Sequence, residues 1–227
     1  NSGAAMFIIE ATGVTPAGRI TPLCLGLWDD TTAATLEDKL NRARRLAPRM
    51  PVCIQLAHSG RKGSSAAPWQ GGQLLDAAQG GWAVQGPSAL PQLPQEPPPG
   101  ELSVTDMAAI KDAFVKAAER AAAIGIDAIE LHGAHGYLMH QFLSPIANQR
   151  TDAYGGSIER RLALGDHVQQ AAGAGPKDIA RVKTLPGGKA LGKHLLCEFQ
   201  LPGIKKSGQL MALGHSDTVW PISRSHL

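Results

Sequence analysis

The sequence predicts an α/β fold with a parallel sheet covered by helices, as part of a (β/α)8 TIM barrel in which about three βα units are recognisable. Three short apolar segments alternate with two longer segments of helical periodicity, and the apolar segments show no polar alternation, as is typical of strands buried on both faces. Gln55 and His132 fall at the C-terminal ends of two of these segments, the face on which barrels build active sites. A doubly wound nucleotide-binding sheet would carry GxGxxG after its first strand, and that pattern is absent.

The first βα unit is predicted from residues 6–14, "MFIIEATGV", followed by a turn at "TPAGRITP". The next segment, "TLEDKLNRARRLAP", predicts a helix that Thr35 caps and Pro48 ends. Its apolar positions share one face at steps of three and four residues: Leu36, Leu40, Ala43 and Ala47.

The second and third units follow the same order. Residues 51–60 predict a strand, and a long connection over residues 63–100 holds six prolines between Pro87 and Pro99, which is typical of a lid or spacer. The segment "SVTDMAAIKDAFVKAAERAAAIG" predicts a helix ending at Gly125, and residues 126–131 predict the third strand. The buried face of that helix is expected to hold Met107, Ile110, Phe114, Ala117, Ala121 and Ile124.

Composition favours an ordinary globular protein of 227 residues, 43% of them hydrophobic. The net charge of +3 is uneven, because residues 1–164 carry 14 Lys and Arg against 15 Asp and Glu, and residues 165–227 carry 8 against 4. We therefore attribute the basic excess to a solvated tail, and expect neither a nucleic-acid nor a membrane partner. Three widely spaced cysteines form neither a disulfide framework nor a metal pair, and we expect a cytoplasmic location.

The segment "ELHGAHGYLMHQFLSP" carries the strongest chemical signal. His132 and His135 follow a predicted strand end, and two imidazoles placed there can donate hydrogen bonds to one oxygen that gains negative charge. Tyr137 offers a phenol as a proton donor. The alternatives are that one histidine packs beneath the loop while the other is solvated, or that the pair binds zinc, although no local carboxylate or Cys completes such a site.

Five segments together resemble the old yellow enzyme family of FMN-dependent ene-reductases, which are TIM barrels: "FIIEATGVTPAGRI", "LGLWDD", "IQLAHSGRK", "GPSA" and "AIELHGAHGYLMHQFLSPIANQRTDAYGGSIERR". The resemblance covers residues 1–164, in order and with family-like spacing, and defines a predicted domain. It implies NADPH- or NADH-driven reduction of the C=C bond of α,β-unsaturated carbonyl compounds.

The resemblance also implies roles for five residues. Gln55 would bind the polar edge of the flavin pyrimidine ring, and Ala11 would contact the flavin through its backbone. His132 and His135 would bind the oxygen of an enone or a phenolic ligand, and Tyr137 would protonate the α-carbon.

The family's first strand and the segments that follow "SIERR" have no counterpart in the sequence, so we expect FMN binding by this chain to be weak or absent. The alternative to an enzyme is a non-catalytic remnant or chimeric gene product that holds no cofactor.

Residues 165–227 are predicted to be an unrelated tail, because the βα rhythm stops there. Residues 185–221 resemble an N-terminal piece of zinc aminoacylase or carboxypeptidase-type peptidases, in which His215 would be a zinc ligand and Asp217 would orient it. Too few residues follow for a complete metal site. "GGKALGKH" resembles a phosphate-binding loop, but His194 stands where a Ser or Thr is required.

Overall fold

The computed structural model of the chain describes residues 4–48 and 50–173. The elements in chain order are β1 (Phe7–Gly13), α1 (Asp30–Leu46), β2 (Val52–Ala57), β3 (Gln85–Gly86), β4 (Gly100–Glu101), α2 (Val104–Ala123), β5 (Ala128–Leu131), α3 (Leu138–Leu143) and α4 (Ile158–Gly173). The main sheet is parallel, three-stranded and ordered β1-β2-β5, and β3 pairs with β4 in a second small parallel sheet. All three strands predicted from the sequence are present.

Helix α1 begins at Asp30, five residues before Thr35, so the prediction that Thr35 caps the helix was wrong. The helix starts after Asp29, whose carboxylate accepts the backbone N–H of Thr32 at 2.7 Å while the Thr32 hydroxyl accepts the N–H of Asp29 at 3.2 Å. This reciprocal pair satisfies two N–H groups that have no partner inside the helix. Thr35 lies within the helix, and its hydroxyl donates to the carbonyl of Thr31.

Helix α2 follows the predicted pattern. Ser103 caps it, with its hydroxyl accepting the N–H of Asp106 at 3.1 Å. Gly125 adopts φ = +78° just beyond the helix, a left-handed conformation in which a Cβ is unfavourable, so this glycine ends the helix as predicted. The predicted apolar face is buried in the core: Met107, Ile110, Phe114, Ala117, Ala121 and Ile124.

The sheet has two chemically different faces. Ile54 and Leu56 of β2 and Ile129 of β5 belong to the hydrophobic core that the helices cover. Because side chains alternate along a strand, Gln55 and its neighbour Glu130 lie on the opposite face. The sheet therefore presents Gln55 and Glu130 on the face opposite to this core.

Strand β1 contains an irregularity opposite Gln55. Ile9 pairs with Ile54 and Thr12 pairs with Leu56, so two residues of β1, Glu10 and Ala11, oppose one residue of β2. A bulge of this kind interrupts the ladder and leaves backbone groups outside regular pairing.

The long connection over residues 63–100 is ordered by short turns and by Arg150. Single helical turns form at Pro68–Gln70 and Ala77–Gln79. The Arg150 guanidinium, whose side chain is only 6% exposed, donates to the carbonyls of Pro87 at 2.8 Å and Leu102 at 2.6 Å. The connection is thereby fixed to the segment that follows α3.

Helix α4 crosses the position at which the sequence suggested a domain boundary. It runs without interruption through residue 164, and Leu164 and Val168 are buried in the core. The boundary at 164 stays a prediction, and the predicted peptidase-like segment 185–221, with His215 and Asp217, lies outside the described residues. Within the described ranges, no helix combines the length and apolar character that a bilayer crossing requires.

Candidate functional site

His132 is fixed by the sheet immediately beyond β5. Its backbone N–H donates to the carbonyl of Leu56 in β2 at 2.9 Å, so the parallel ladder continues for one residue past the strand. Alternation then places its side chain on the same face as Glu130 and Gln55. Two predicted site residues, Gln55 and His132, therefore share one polar face at the C-terminal end of the sheet.

His132 and His135 form a direct hydrogen bond, with 3.1 Å between His132 Nε2 and His135 Nδ1. The direction of this bond follows from a second one, in which the backbone N–H of Ala134 donates to His132 Nδ1 at 3.2 Å. Since Nδ1 of His132 accepts, its proton sits on Nε2, and Nε2–H donates to His135. A neutral His135 then carries its own proton on Nε2, where it can meet a ligand.

Tyr137 completes the cluster. Its ring packs edge-on against His132 with 4.8 Å between centroids, and its centroid lies 6.4 Å from that of His135. The chain reaches this arrangement through two consecutive left-handed residues, His135 at φ = +56° and Gly136 at φ = +74°. The three residues predicted from "HGAHGY" are therefore brought together.

Burial sets the protonation states of this cluster. Desolvation, followed by the charge of His135 and then His140, lowers the pKa of His132 to about 4. The ring is therefore neutral near pH 7 and keeps the single donor that the geometry assigns to it. Desolvation, followed by the effects of Cys24 and Glu10, raises the pKa of Tyr137, so the phenol keeps its proton.

The polar face offers hydrogen-bonding groups of the kind that the pyrimidine edge of a flavin requires. Gln55 Nε2 donates to Glu130 Oε1 at 3.1 Å, which fixes the rotation of the amide because a carboxylate can only accept. The amide oxygen of Gln55 is then oriented as the acceptor for a ring N–H. The bulge at Glu10 and Ala11 lies directly opposite in β1, which places backbone groups beside the same amide.

Sequence reasoning did not identify the groups that support the cluster. Lys62 Nζ donates to the carbonyl of His135 at 2.9 Å and lies 5.8 Å from the centre of the Tyr137 ring. Gln141 donates to the carbonyl of Gly136 at 2.7 Å. The sequence does mark Gln141, as a polar residue on the buried side of a short apolar segment. Lys62 lies 73 residues from His135, so no local sequence pattern indicates their contact. Among the described residues, no group of three or more His, Cys, Asp or Glu could hold a metal ion.

The fold and this cluster are those expected of part of a flavin-dependent oxidoreductase, and comparison with known proteins gives the corresponding family. The chain belongs to the NADH:flavin oxidoreductase / NADH oxidase family, whose family model matches residues 1–179. This match confirms the predicted family, together with FMN and a nicotinamide nucleotide as the cofactor and reductant of that family.

Curated relatives are similar over the same part of the chain. A NADH:flavin oxidoreductase of Gibberella zeae is 43% identical over 166 residues, covering 71% of this chain and 40% of the relative. An NADPH dehydrogenase of Bacillus licheniformis is 41% identical over 159 residues, covering 70% of this chain and 42% of the relative. The chain thus spans less than half the length of these relatives.

Solved structures confirm the fold class. Morphinone reductase in complex with tetrahydroNAD superposes with a TM-score of 0.61 at 28% identity, covering 75% of this chain and 48% of the other. The old yellow enzyme homologue from Zymomonas mobilis gives a TM-score of 0.60 at 26% identity, covering 75% and 47%. The described residues are therefore part of the TIM barrel of old yellow enzymes, as the sequence predicted.

Proposed function

We propose that this chain contributes the substrate-binding and proton-donating residues of an FMN-dependent oxidoreductase that uses NADPH or NADH to reduce the C=C bond of α,β-unsaturated carbonyl compounds. The observation that carries this proposal is the cluster of His132, His135 and Tyr137, held within ring-to-ring distances of 4.8–6.4 Å on the polar face that also holds Gln55.

Gln55 and Ala11 are the residues that would hold the flavin. Because Glu130 fixes the amide of Gln55, its oxygen is presented as an acceptor for a pyrimidine N–H. The bulge supplies backbone groups of Ala11 from the neighbouring strand. Reduced FMN supplies a hydride when it is bound.

His132 and His135 would bind the carbonyl oxygen of the enone or the oxygen of a phenolic ligand. When both rings are neutral, each carries its proton on Nε2, and both protons can be directed at one oxygen once the ligand replaces His135 as the acceptor for His132. Donors placed in advance where negative charge develops stabilise that charge without reorganisation, and each is worth about 2.7–4 kcal/mol in related oxyanion sites. A neutral His132 loses no proton to the ligand, so it acts as a donor and not as an acid.

Tyr137 would deliver the proton to the α-carbon. Its raised pKa keeps the hydroxyl protonated at the pH at which His132 is neutral. A phenol that stays protonated until the carbanion-like centre forms is suited to general acid catalysis, which contributes about 10²–10⁴-fold.

The test is a titration of the full chain with FMN, followed by NMR of the side-chain amides and the imidazoles. We expect weak but saturable shifts at Gln55 and His132, and a further shift at His132 and His135 when a simple phenol is added. Gln55→Leu should weaken binding about tenfold, the equivalent of one hydrogen bond. The control Gln70→Leu alters an exposed amide in the Pro68–Gln70 turn and should have no effect. Shifts that avoid the polar face, or no saturable shift, would favour the cofactor-free remnant instead.

A further inference from the structure

Gln141 is a buried carboxamide whose hydrogen bonds join two separate segments of the chain. Its residue is 1% exposed, and its Nε2 donates to the carbonyl of Ser59 at 3.0 Å and to that of Gly136 at 2.7 Å. Its Oε1 accepts the backbone N–H of Arg61 at 3.2 Å. One side chain on α3 therefore links the turn that follows β2 to the loop that carries the histidines.

The segment that Gln141 holds is conformationally unfavourable without support. His135 is one of two non-glycine residues in the described ranges with positive φ, and a left-handed residue with a Cβ costs roughly 1–2 kcal/mol. The carbonyl of His135 accepts a hydrogen bond from Lys62, which belongs to the turn after β2. The carbonyl of Gly136 accepts one from Gln141, which lies on α3 and is bonded to the same turn. The His135 ring reaches His132 only while His135 and Gly136 keep this left-handed conformation.

We propose that Gln141 is a positioning residue that sets the His132–His135 hydrogen bond by coupling the histidine loop to the turn after β2, with Lys62 as a second, weaker link. Its meaning for catalysis rests on the function proposed above, but the hydrogen bond exists without any ligand. The proposal can therefore be tested on the flavin-free protein.

Asn148 provides a matched control. It is 3% exposed, its Nδ2 donates to the carbonyls of Phe142 and Tyr154 at 2.7 Å each, and its Oδ1 accepts the backbone N–H of Arg150 at 3.1 Å. It thus repeats the bonding pattern of Gln141, with two donated bonds and one accepted, but none of its partners belongs to the histidine loop. Removing either carboxamide should lower the stability of the fold by a similar amount, but only the removal of the Gln141 carboxamide should disturb the histidines.

The experiment compares Gln141→Met and Asn148→Leu in the full chain without flavin. Long-range proton–nitrogen NMR of the imidazoles follows the protonation of His132 against pH, and urea unfolding records the stability of each variant. We expect the titration midpoint of His132 to move from about 4 toward the ordinary value of 6.5 in Gln141→Met, by about one pH unit, because the ring becomes solvated when the loop opens. It should remain near 4 in Asn148→Leu. His135 and His140, whose charges act on His132, are present in both proteins.

Equal movement of the midpoint in both variants would show a merely structural role, and an unchanged midpoint in Gln141→Met would equally overturn the proposal. If Gln141→Met does not fold, Lys62→Met removes the bond to the His135 carbonyl, together with the ammonium group that lies 5.8 Å from the centre of the Tyr137 ring. It should move the midpoint in the same direction by a smaller amount. Its control, Lys39→Met on the exposed side of α1, should leave the midpoint unchanged, and equal behaviour of the two lysine variants would overturn the proposal.

Discussion

His58 should make the stability of the protein strongly dependent on pH. The residue is 4% exposed, its Nδ1 accepts the backbone N–H of Gly60 at 3.1 Å, and its ring packs against Gly18 so closely that a Cβ there would come within 2.8 Å of the ring. Burial lowers the pKa of His58 from 6.5 to about 4. The folded state therefore requires the neutral ring.

The sign and size of the effect follow from linkage. Because the pKa is lower in the folded state than in the unfolded state, the stabilising contribution is fully present above pH 6.5 and is lost as the pH falls from 6.5 toward 4. At pH 5 the unfolded state binds the proton and the folded state does not, which lowers the free energy of unfolding by about 2 kcal/mol relative to pH 7.5. That is a substantial part of the stability of a typical domain.

Urea unfolding of the wild type and of His58→Asn at about pH 7.5 and pH 5 measures this contribution. The asparagine oxygen can accept the N–H of Gly60 in place of Nδ1 but does not titrate in this range. We expect the wild type to lose about 2 kcal/mol more than the variant between the two pH values. His132 and the carboxylates titrate in both proteins, so their effects cancel in the difference. Equal losses, or a larger loss in His58→Asn, would refute the reasoning.

Three further predictions concern single side chains. Arg150→Met should destabilise the fold by about 3–5 kcal/mol in urea unfolding, because the buried carbonyls of Pro87 and Leu102 and the carboxylate of Asp152 lose the guanidinium, and the loss should not add to that of Asp152→Asn. Glu130→Gln should weaken FMN binding about tenfold in the NMR titration by releasing the Gln55 amide, and unchanged affinity would exclude that role. Tyr137→Phe should lower enone reduction at saturating FMN and NADPH by about 10²-fold while phenol affinity changes little, and a loss of phenol affinity instead would assign Tyr137 to binding.

The parts of the fold that the sequence predicted are those whose pattern is local. Helix α2 has an apolar residue every three or four positions and a glycine where it must end, and both features depend only on neighbours in the chain. Helix α3 has six residues, too few to be stable alone, and it forms because Phe142 and Leu138 are buried in the core. No local pattern could predict it.

The same difference between local sequence patterns and long-range contacts applies to the site. The spacing of His132, His135 and Tyr137 predicted their proximity, since a strand end followed by a tight turn leaves them little room to separate. The hydrogen bonds that organise them come from residues such as Lys62, 73 positions away, and these depend on how β2 and β5 pair. Periodicity carries no information about such contacts, although it does place the strands that make them possible.

The two hydrogen bonds of His132, the one it accepts from Ala134 and the one it donates to His135, exist together for only one combination of protonation states. If His132 is protonated on Nδ1, it can no longer accept the N–H of Ala134, and if His135 is protonated on Nδ1, it can no longer accept from His132. Both rings must be neutral for these two bonds to exist together, and the desolvation that lowers the pKa of His132 favours the neutral form of that ring. The burial that makes this loop costly to fold in acid is therefore the same burial that keeps His132 a neutral imidazole donor, rather than an imidazolium ion, near pH 7.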